Sequence, residues 1–178
     1  MSGYLNLLML GYLPWVIVDN LSKYVNIWIA IVIAIALITV PTIKSIKEKD
    51  FVSLVFVSGF LAYIISLLYN AHICELYSSN ILLIVVVVAM LSVIIKKPFT
   101  IAYAKKTISA DKWTNPLFIK INILISLLWS GIFLMEYIIK IIKLPNTSII
   151  SAALVILGIG ISKHFPDYYK QKHIKKQN

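Results

Sequence analysis

The sequence predicts an all-α fold, a polytopic membrane helix bundle of five or six transmembrane helices. Of its 178 residues, 60% are hydrophobic and 13% are charged, and the mean hydropathy is +0.90, a balance that a water-soluble protein of this size does not have. Long apolar stretches also recur along the chain, and most approach the ~30 Å that a helix needs to cross hydrocarbon. We therefore expect a single membrane domain over residues 1–178, with no separate soluble domain.

The first apolar segment, residues 4–19, is the shortest. It contains Gly11 and Pro14 and ends in Asp19 and Asn20, shortly before the next apolar stretch begins. Such a segment either crosses the membrane or forms a re-entrant helix packed on its neighbour, where protein satisfies its broken backbone. Both alternatives remain open at this stage, and they decide between five and six spans.

The remaining stretches each predict one spanning helix, at about 24–41, 51–69, 81–95, 117–142 and 149–162. Residues typical of helix starts support these bounds. Asn115 followed by Pro116, for example, predicts an N-cap with proline at the first helical position.

Lysine distribution predicts the orientation, because short cytoplasmic loops carry an excess of basic residues. The net charge is +10, and every basic residue of the chain is a lysine. One set of connections is nearly free of lysine, and the other holds Lys44, Lys47, Lys49, Lys96, Lys97, Lys105, Lys106 and Lys112, together with the basic tail 163–178. We expect the lysine-rich side, including the C-terminus, to be cytoplasmic.

Two acidic groups near the ends of predicted spans are candidates for function, since charge inside a membrane is costly. Glu136 lies roughly 28 Å along its helix, close to the far interface, with Lys140 one turn on in the favourable order. An interfacial ion pair explains it, and a transport or proton-relay role is the alternative. The position of Asp19 and Asn20 near a span end favours a structural role, in which their side chains cap a helix or hydrogen-bond to the backbone of a helical hairpin.

Small and polar residues form regular stripes. Asn122, Ser126 and Ser130 recur every four residues on the predicted span 117–142, which is the fifth when 4–19 counts as the first. Gly158 and Ser162 form a small-residue pair on the sixth, 149–162. Such faces let helices approach closely and hydrogen-bond to one another. Packing is the simpler interpretation, and a polar path through the bundle is the alternative.

The connection after residue 95 alternates lysines with aromatic residues. Phe99 and Tyr103 lie one helical turn apart, which predicts a short interfacial helix whose rings lie at the headgroup boundary while lysines meet anionic lipid. The bilayer is therefore an expected partner, and nucleic acid is not. The segment's candidate interaction residues are Lys96, Lys97, Pro98, Phe99, Tyr103 and Trp113.

Signatures of catalysis are missing from the sequence. It has no Gly-rich phosphate loop and no HExxH, its one cysteine, Cys74, has no pairing partner, and its histidines are scattered. We expect no enzymatic activity, no cofactor and no metal site.

The order of these features resembles the intracellular septation protein A family of bacterial inner-membrane-spanning proteins. The similarity covers essentially the full chain. It is carried by Leu5 to Leu13-Pro14 followed by Lys23 and Asn26, by Lys96-Lys97-Pro98, by the series Trp113, Asn122 and Trp129, and by His164-Phe165-Pro166. Residues 99–106 and the Asp19-Asn20 pair depart from the family pattern.

The resemblance implies a multi-pass protein of the bacterial inner membrane that supports cell-envelope maintenance, septation and cell-wall synthesis through contacts with other membrane proteins. Its partners would belong to the envelope or division machinery, and no catalytic residues are implied. A small-solute or ion transporter or channel is the alternative, since the polar stripes, Asp19 and the interrupted first segment are also typical of transport paths.

Overall fold

The structure is a computed structural model that describes residues 11, 13–48, 51–105, 108–143 and 147–174, without the side chains of 19, 48, 147–149, 173 and 174. The described chain is helical and contains no strand, which confirms the predicted all-α helical bundle. Its helices are α1 (Leu13–Leu21), α2 (Ile27–Glu48), α3 (Phe51–Tyr69), α4 (His72–Ser79), α5 (Ile81–Ile94), α6 (Ile101–Ala104), a 3₁₀ turn (Ala110–Lys112), α7 (Pro116–Ile142) and α8 (Thr147–Ile174).

Within the described residues, four helical stretches are long and apolar enough to cross a membrane: Ile27–Lys47, Phe51–Tyr69, Pro116–Ile142 and Ile150–Lys172. Helices α4 and α5 count as a fifth span only if they act together, because they meet at a bend of 59°. Half of the predicted segment 4–19 lies outside the described residues, so whether a sixth crossing exists stays a prediction.

Two helices run farther than the sequence indicates. Helix α2 continues through Pro41 to Glu48, and α8 continues through Pro166 to Ile174, so most of the predicted basic tail is helical. Proline removes one backbone donor and usually ends a helix. Beyond Pro166, however, the rings of Phe165 and Tyr169 pack one turn apart, with centroids 5.4 Å apart, and such a pair supports the helix locally.

Residues up to Val85 form one compact unit, whose core is apolar. Val18, Ile31, Ala34, Ile38, Val57 and Phe60 pack together there. The indole of Trp15 meets the rings of Phe60 and Tyr63 at centroid distances of 5.4 and 5.2 Å. Helix α3 also approaches α5 closely, since a Cβ on Gly59 would lie 2.6 Å from the side chain of Ile81.

Residues from Val86 onward form a second compact unit, built around α7. Trp129 and Phe133 are fully buried in it, with ring centroids 5.7 Å apart. The N-terminus of α7 is capped as the sequence predicts, because the Asn115 side chain accepts a hydrogen bond of 2.8 Å from the backbone N–H of Leu117.

Both units expose large apolar side chains along their long helices. Val40 is 74% exposed on α2, and Ile156 and Leu157 are 69% and 61% exposed on α8. A surface of this kind is stable in lipid and is unfavourable in water. Length, hydropathy and surface together identify a membrane-spanning protein.

Candidate functional site

The polar residues predicted on the fifth span lie on the buried face of α7. Asn122, Ser126, Ser130 and Glu136 are 2%, 0%, 3% and 2% exposed. Asn122, Ser126 and Ser130 are four residues apart and lie on one side of the helix, and Glu136 returns close to the side of Asn122 after nearly four full turns, so amide, hydroxyl and carboxyl groups meet the interior of the second unit. In an apolar interior each of these groups needs a hydrogen-bond partner.

Thr100 supplies partners for the middle of this face. Its side chain is fully buried, and its hydroxyl donates to the backbone carbonyl of Asn122 at 2.9 Å. The hydroxyls of Thr100 and Ser126 lie 2.9 Å apart, and the Thr100 backbone N–H donates to Ser126 Oγ at 3.4 Å. Because the Thr100 hydroxyl donates its proton to the Asn122 carbonyl, the Ser126 hydroxyl donates to Thr100 Oγ1. Both hydroxyl donors and the Thr100 backbone N–H therefore have an acceptor.

A tight turn brings Thr100 to this position. Helix α5 ends where Lys96 adopts a left-handed backbone, with φ of 56°. The Lys97 N–H then donates to the Ser92 carbonyl at 2.9 Å, and the Phe99 N–H donates to Ser92 Oγ at 3.1 Å. Lys96 and Lys97 stay exposed while Pro98 is buried, so the chain folds back with its charges outside.

The prediction that this segment lays both Phe99 and Tyr103 at the headgroup boundary is wrong for Tyr103. The ring of Tyr103 is 2% exposed, and that of Phe99 is half-buried and meets it edge-on at 6.1 Å. The two residues do lie one turn apart, but α6 packs against α7. The hydrogen bonds of Thr100 to Ser126 and to the Asn122 carbonyl explain this packing, because they hold the start of α6 against α7.

Beyond α6 the connection is held by Trp113. The indole N–H donates to the carbonyl of Ile108 at 3.0 Å, and the Lys105 ammonium lies 4.6 Å from the ring centroid in a cation–π contact. A hydrogen bond from Ser109 lowers the pKa of Asp111 in the adjoining exposed 3₁₀ turn. Trp113 therefore tethers this loop within the second unit.

Helices α7 and α8 approach each other closely where the sequence places Gly158 and Ser162. The indole N–H of Trp129 donates to Ser162 Oγ at 3.0 Å, and both side chains are buried. A Cβ on Gly158 would lie 2.5 Å from the end of the Ile132 side chain and 3.3 Å from the Trp129 ring. The close approach predicted from this small-residue pair is confirmed.

The other polar groups of the buried α7 face do not bond to Thr100 in the described structure. The amide nitrogen of Asn122 donates to the Phe118 carbonyl at 2.9 Å, while its Oδ1 has no hydrogen-bond partner among the described residues. Glu136 is buried in the second unit while Lys140 is exposed, and their predicted ion pair stays a prediction. Ser130 bonds within its own helix, to the Ser126 carbonyl at 2.8 Å.

Asp19 and Asn20 belong to the first unit, at the end of α1. The Asn20 side-chain amide donates to the Val16 carbonyl of its own helix at 2.8 Å, as expected for local satisfaction of a helix end. The side chain of Asp19 lies outside the described residues.

The α7 face itself was predictable from its four-residue spacing, but Thr100 was not, because a lone threonine in a basic connection carries no signal of burial. No group of three or more metal-ligating side chains occurs in the described parts of the chain. Comparison with protein-family models, with curated proteins and with solved structures gives no match. We conclude that the α7 face and the connection packed on it form the candidate site of a membrane-spanning helical protein.

Proposed function

We propose that this chain is a non-enzymatic protein of the bacterial inner membrane that supports cell-envelope maintenance, septation and cell-wall synthesis through contacts with other membrane proteins. In this proposal the lysine-rich ends of its helices and its C-terminus lie in the cytoplasm. The family resemblance supplies the biological role, and the geometry of the second unit supports a scaffold mechanism.

One observation carries the scaffold mechanism: polar groups in the middle of α7 hydrogen-bond to the connection packed on it, and Trp129 of α7 hydrogen-bonds to α8. Ser126 and the Asn122 carbonyl bond to Thr100, and Ser162 bonds to Trp129. Groups used in this way fix the spacing of helices and leave little polar surface for a transported solute. The long exposed apolar faces of α2 and α8 then supply the area on which a neighbouring membrane protein packs.

The direct test is depletion of the protein in its native cells, followed by measurement of septum placement, cell-wall synthesis and osmotic resistance. We expect defects in at least one of these processes, rescued by the wild-type chain. Normal septa, normal wall synthesis and normal resistance after complete depletion would contradict the proposal.

A second test identifies partners by site-specific photo-crosslinking. A crosslinker at Leu157, which is 61% exposed, should capture named proteins of the envelope or division machinery, whereas a crosslinker at the fully buried Phe133 should capture none of them. Capture of lipid alone at Leu157 and at other exposed positions, including Val40, would count against a scaffold.

Transport of a small solute or ion is the alternative, and the buried carboxyl of Glu136 favours it. A carboxyl that is 2% exposed on an apolar helix is a typical element of ion and proton paths. Purified protein in vesicles distinguishes the two functions: flux that is abolished by Glu136→Gln would support transport, and the absence of flux for protons and common cations would support the scaffold.

A further inference from the structure

Helices α7 and α8 leave an apolar groove between them. Its volume is about 240 Å³, and its walls are Leu124, Ile125 and Leu128 from α7 and Ile161 and Phe165 from α8. Ile161 is 44% exposed, so the groove opens on the surface of the unit. Hydrocarbon is the chemistry that matches such walls.

The groove runs toward a pair of lysines. The Trp129–Ser162 hydrogen bond and the approach of Gly158 to Ile132 fix the two helices as antiparallel neighbours in this register. Lys120 lies four residues before Leu124, and Lys172 lies seven residues after Phe165, so each lysine lies on the same side of its helix as that wall residue. The corresponding rises are about 6 Å and about 10 Å, so both lysines lie beyond the same end of the groove.

On α8, this end of the groove carries aromatic side chains, and the nearby acidic residue lies on the other side of the helix. Tyr169 packs on Phe165 with ring centroids 5.4 Å apart, and Tyr168 is 61% exposed. Asp167 lies two residues from Phe165, which places it on the opposite side of α8, where its carboxylate is 4.0 Å from the Lys170 ammonium. Tyrosine and lysine together are typical of the headgroup level of a membrane protein.

We propose that this groove binds one phospholipid with an anionic headgroup. An acyl chain lies between Leu124, Leu128 and Phe165, and the headgroup phosphate lies between the ammonium groups of Lys120 and Lys172. Charge complementarity and the continuity of the apolar groove with the two lysines both match this ligand, because basic sites between transmembrane helices bind anionic lipid headgroups. The inference is independent of the proposed scaffold function.

The test measures lipid bound to the full chain in detergent by native mass spectrometry. Phosphatidylglycerol and phosphatidylcholine with identical acyl chains are compared, and we expect tighter binding of the anionic lipid. Removing two charges through Lys120→Gln with Lys172→Gln should weaken phosphatidylglycerol binding about thirtyfold and weaken binding of the zwitterionic phosphatidylcholine much less. The matched control, Lys44→Gln with Lys47→Gln, removes the same charge from exposed positions of α2 and should change neither.

A groove-filling variant tests the apolar half of the site. Ile161→Phe, at a partly exposed position, should reduce binding of both lipids. Glycerol phosphate, which has a charged head without chains, should not compete. The proposal is overturned if the two lipids bind equally, if the α2 control weakens binding as much as the Lys120 and Lys172 pair, or if glycerol phosphate competes as well as the intact lipid. Because both lysines are exposed, the paired variant should fold and decide the question even if Ile161→Phe does not.

Discussion

Helices α2 and α7 have nearly the same hydropathy, yet they pack in different ways. Between Ala30 and Ile38 the buried face of α2 is apolar, and the small side chains of Ala30 and Ala34 let the backbone come close to its neighbours. The buried face of α7 instead carries Asn122, Ser126 and Ser130 among its aromatic and aliphatic residues. Hydropathy detects both helices as spans, whereas the polar spacing of α7 indicates its hydrogen bonds to another element.

This difference has an energetic basis. In a membrane, apolar burial between helices gains little, because lipid tails are as apolar as the side chains they replace. Association then depends on dense van der Waals packing and on interhelical hydrogen bonds. The first unit has an apolar core of aliphatic and aromatic residues, and the second has a buried hydrogen-bonded cluster formed by Thr100, Ser126 and the Asn122 carbonyl. Substitutions in each helix distinguish these contributions.

The largest effect is expected from Trp129→Ala in α7. It removes a fully buried ring and the hydrogen bond to Ser162, so we expect the free energy of unfolding to fall by about 3 kcal/mol. Reversible unfolding of the full chain in mixed detergent micelles measures it. Trp28→Ala in α2 is the control, since Trp28 is 41% exposed and should cost much less. Equal losses of unfolding free energy in the two variants would contradict the proposed difference in packing between α2 and α7.

Gly158→Ala tests the close approach of α7 and α8. The added methyl group overlaps the end of Ile132 and presses on Trp129, which should cost about 2 kcal/mol. Gly160→Ala is the matched control on the same helix, because a Cβ there meets nothing within 4 Å. The control should stabilise the helix by about 0.5 kcal/mol or more. Stabilisation by both variants would contradict the described helix spacing.

Thr100→Val tests the hydrogen-bonded cluster itself. It removes, at nearly constant side-chain volume, the hydroxyl that donates to the Asn122 carbonyl and accepts from Ser126, which should cost about 1 kcal/mol or more. A double-mutant cycle with Ser126→Ala should give a coupling energy of similar size. On α2, Thr39→Val removes only a bond to its own Ile35 carbonyl and should be nearly neutral. Additive effects of Thr100→Val and Ser126→Ala would show that the cluster is not coupled.

The smallest effect is expected from Ser58→Ala in the first unit. The Ser58 hydroxyl lies 2.8 Å from that of Tyr77, an interhelical pair like that of Thr100 and Ser126 but with Ser58 exposed. Its loss should cost about 0.5 kcal/mol, measured by the same unfolding assay. Ser66→Ala removes a bond within one helix and is the reference. A cost as large as that of Thr100→Val would mean that burial does not govern the strength of these bonds.

Much of this architecture follows from sequence because the bilayer imposes it. A helix must satisfy its backbone internally and present an apolar surface over a fixed length, and both requirements are visible as apolar runs. The Asn122, Ser126 and Ser130 face was predictable for the same reason, since helical spacing aligns side chains before any tertiary contact exists. Gly158 and Ser162 were recognisable as a place of close approach.

The parts that sequence reasoning missed depend on contacts distant along the chain. Thr100 meets Ser126 across 26 residues, and no local pattern signals that pairing. Once it forms, it turns Tyr103 inward, against the amphipathic pattern of the segment. The continuation of α8 through Pro166 was missed because proline lowers the local preference for helix, while the pairing of Phe165 with Tyr169 acts in the opposite direction.

The bend at Asn80 sets the length that α4 and α5 together cover along the axis of α5. Helix α5 has 14 residues and covers about 21 Å, too little to cross hydrocarbon alone. The eight residues of α4, inclined at 59° to it, add about 6 Å along the same axis, for a total of about 27 Å. If α4 and α5 cross the membrane together, a thin bilayer would match this bent pair, whereas a thicker one would favour a smaller bend at Asn80.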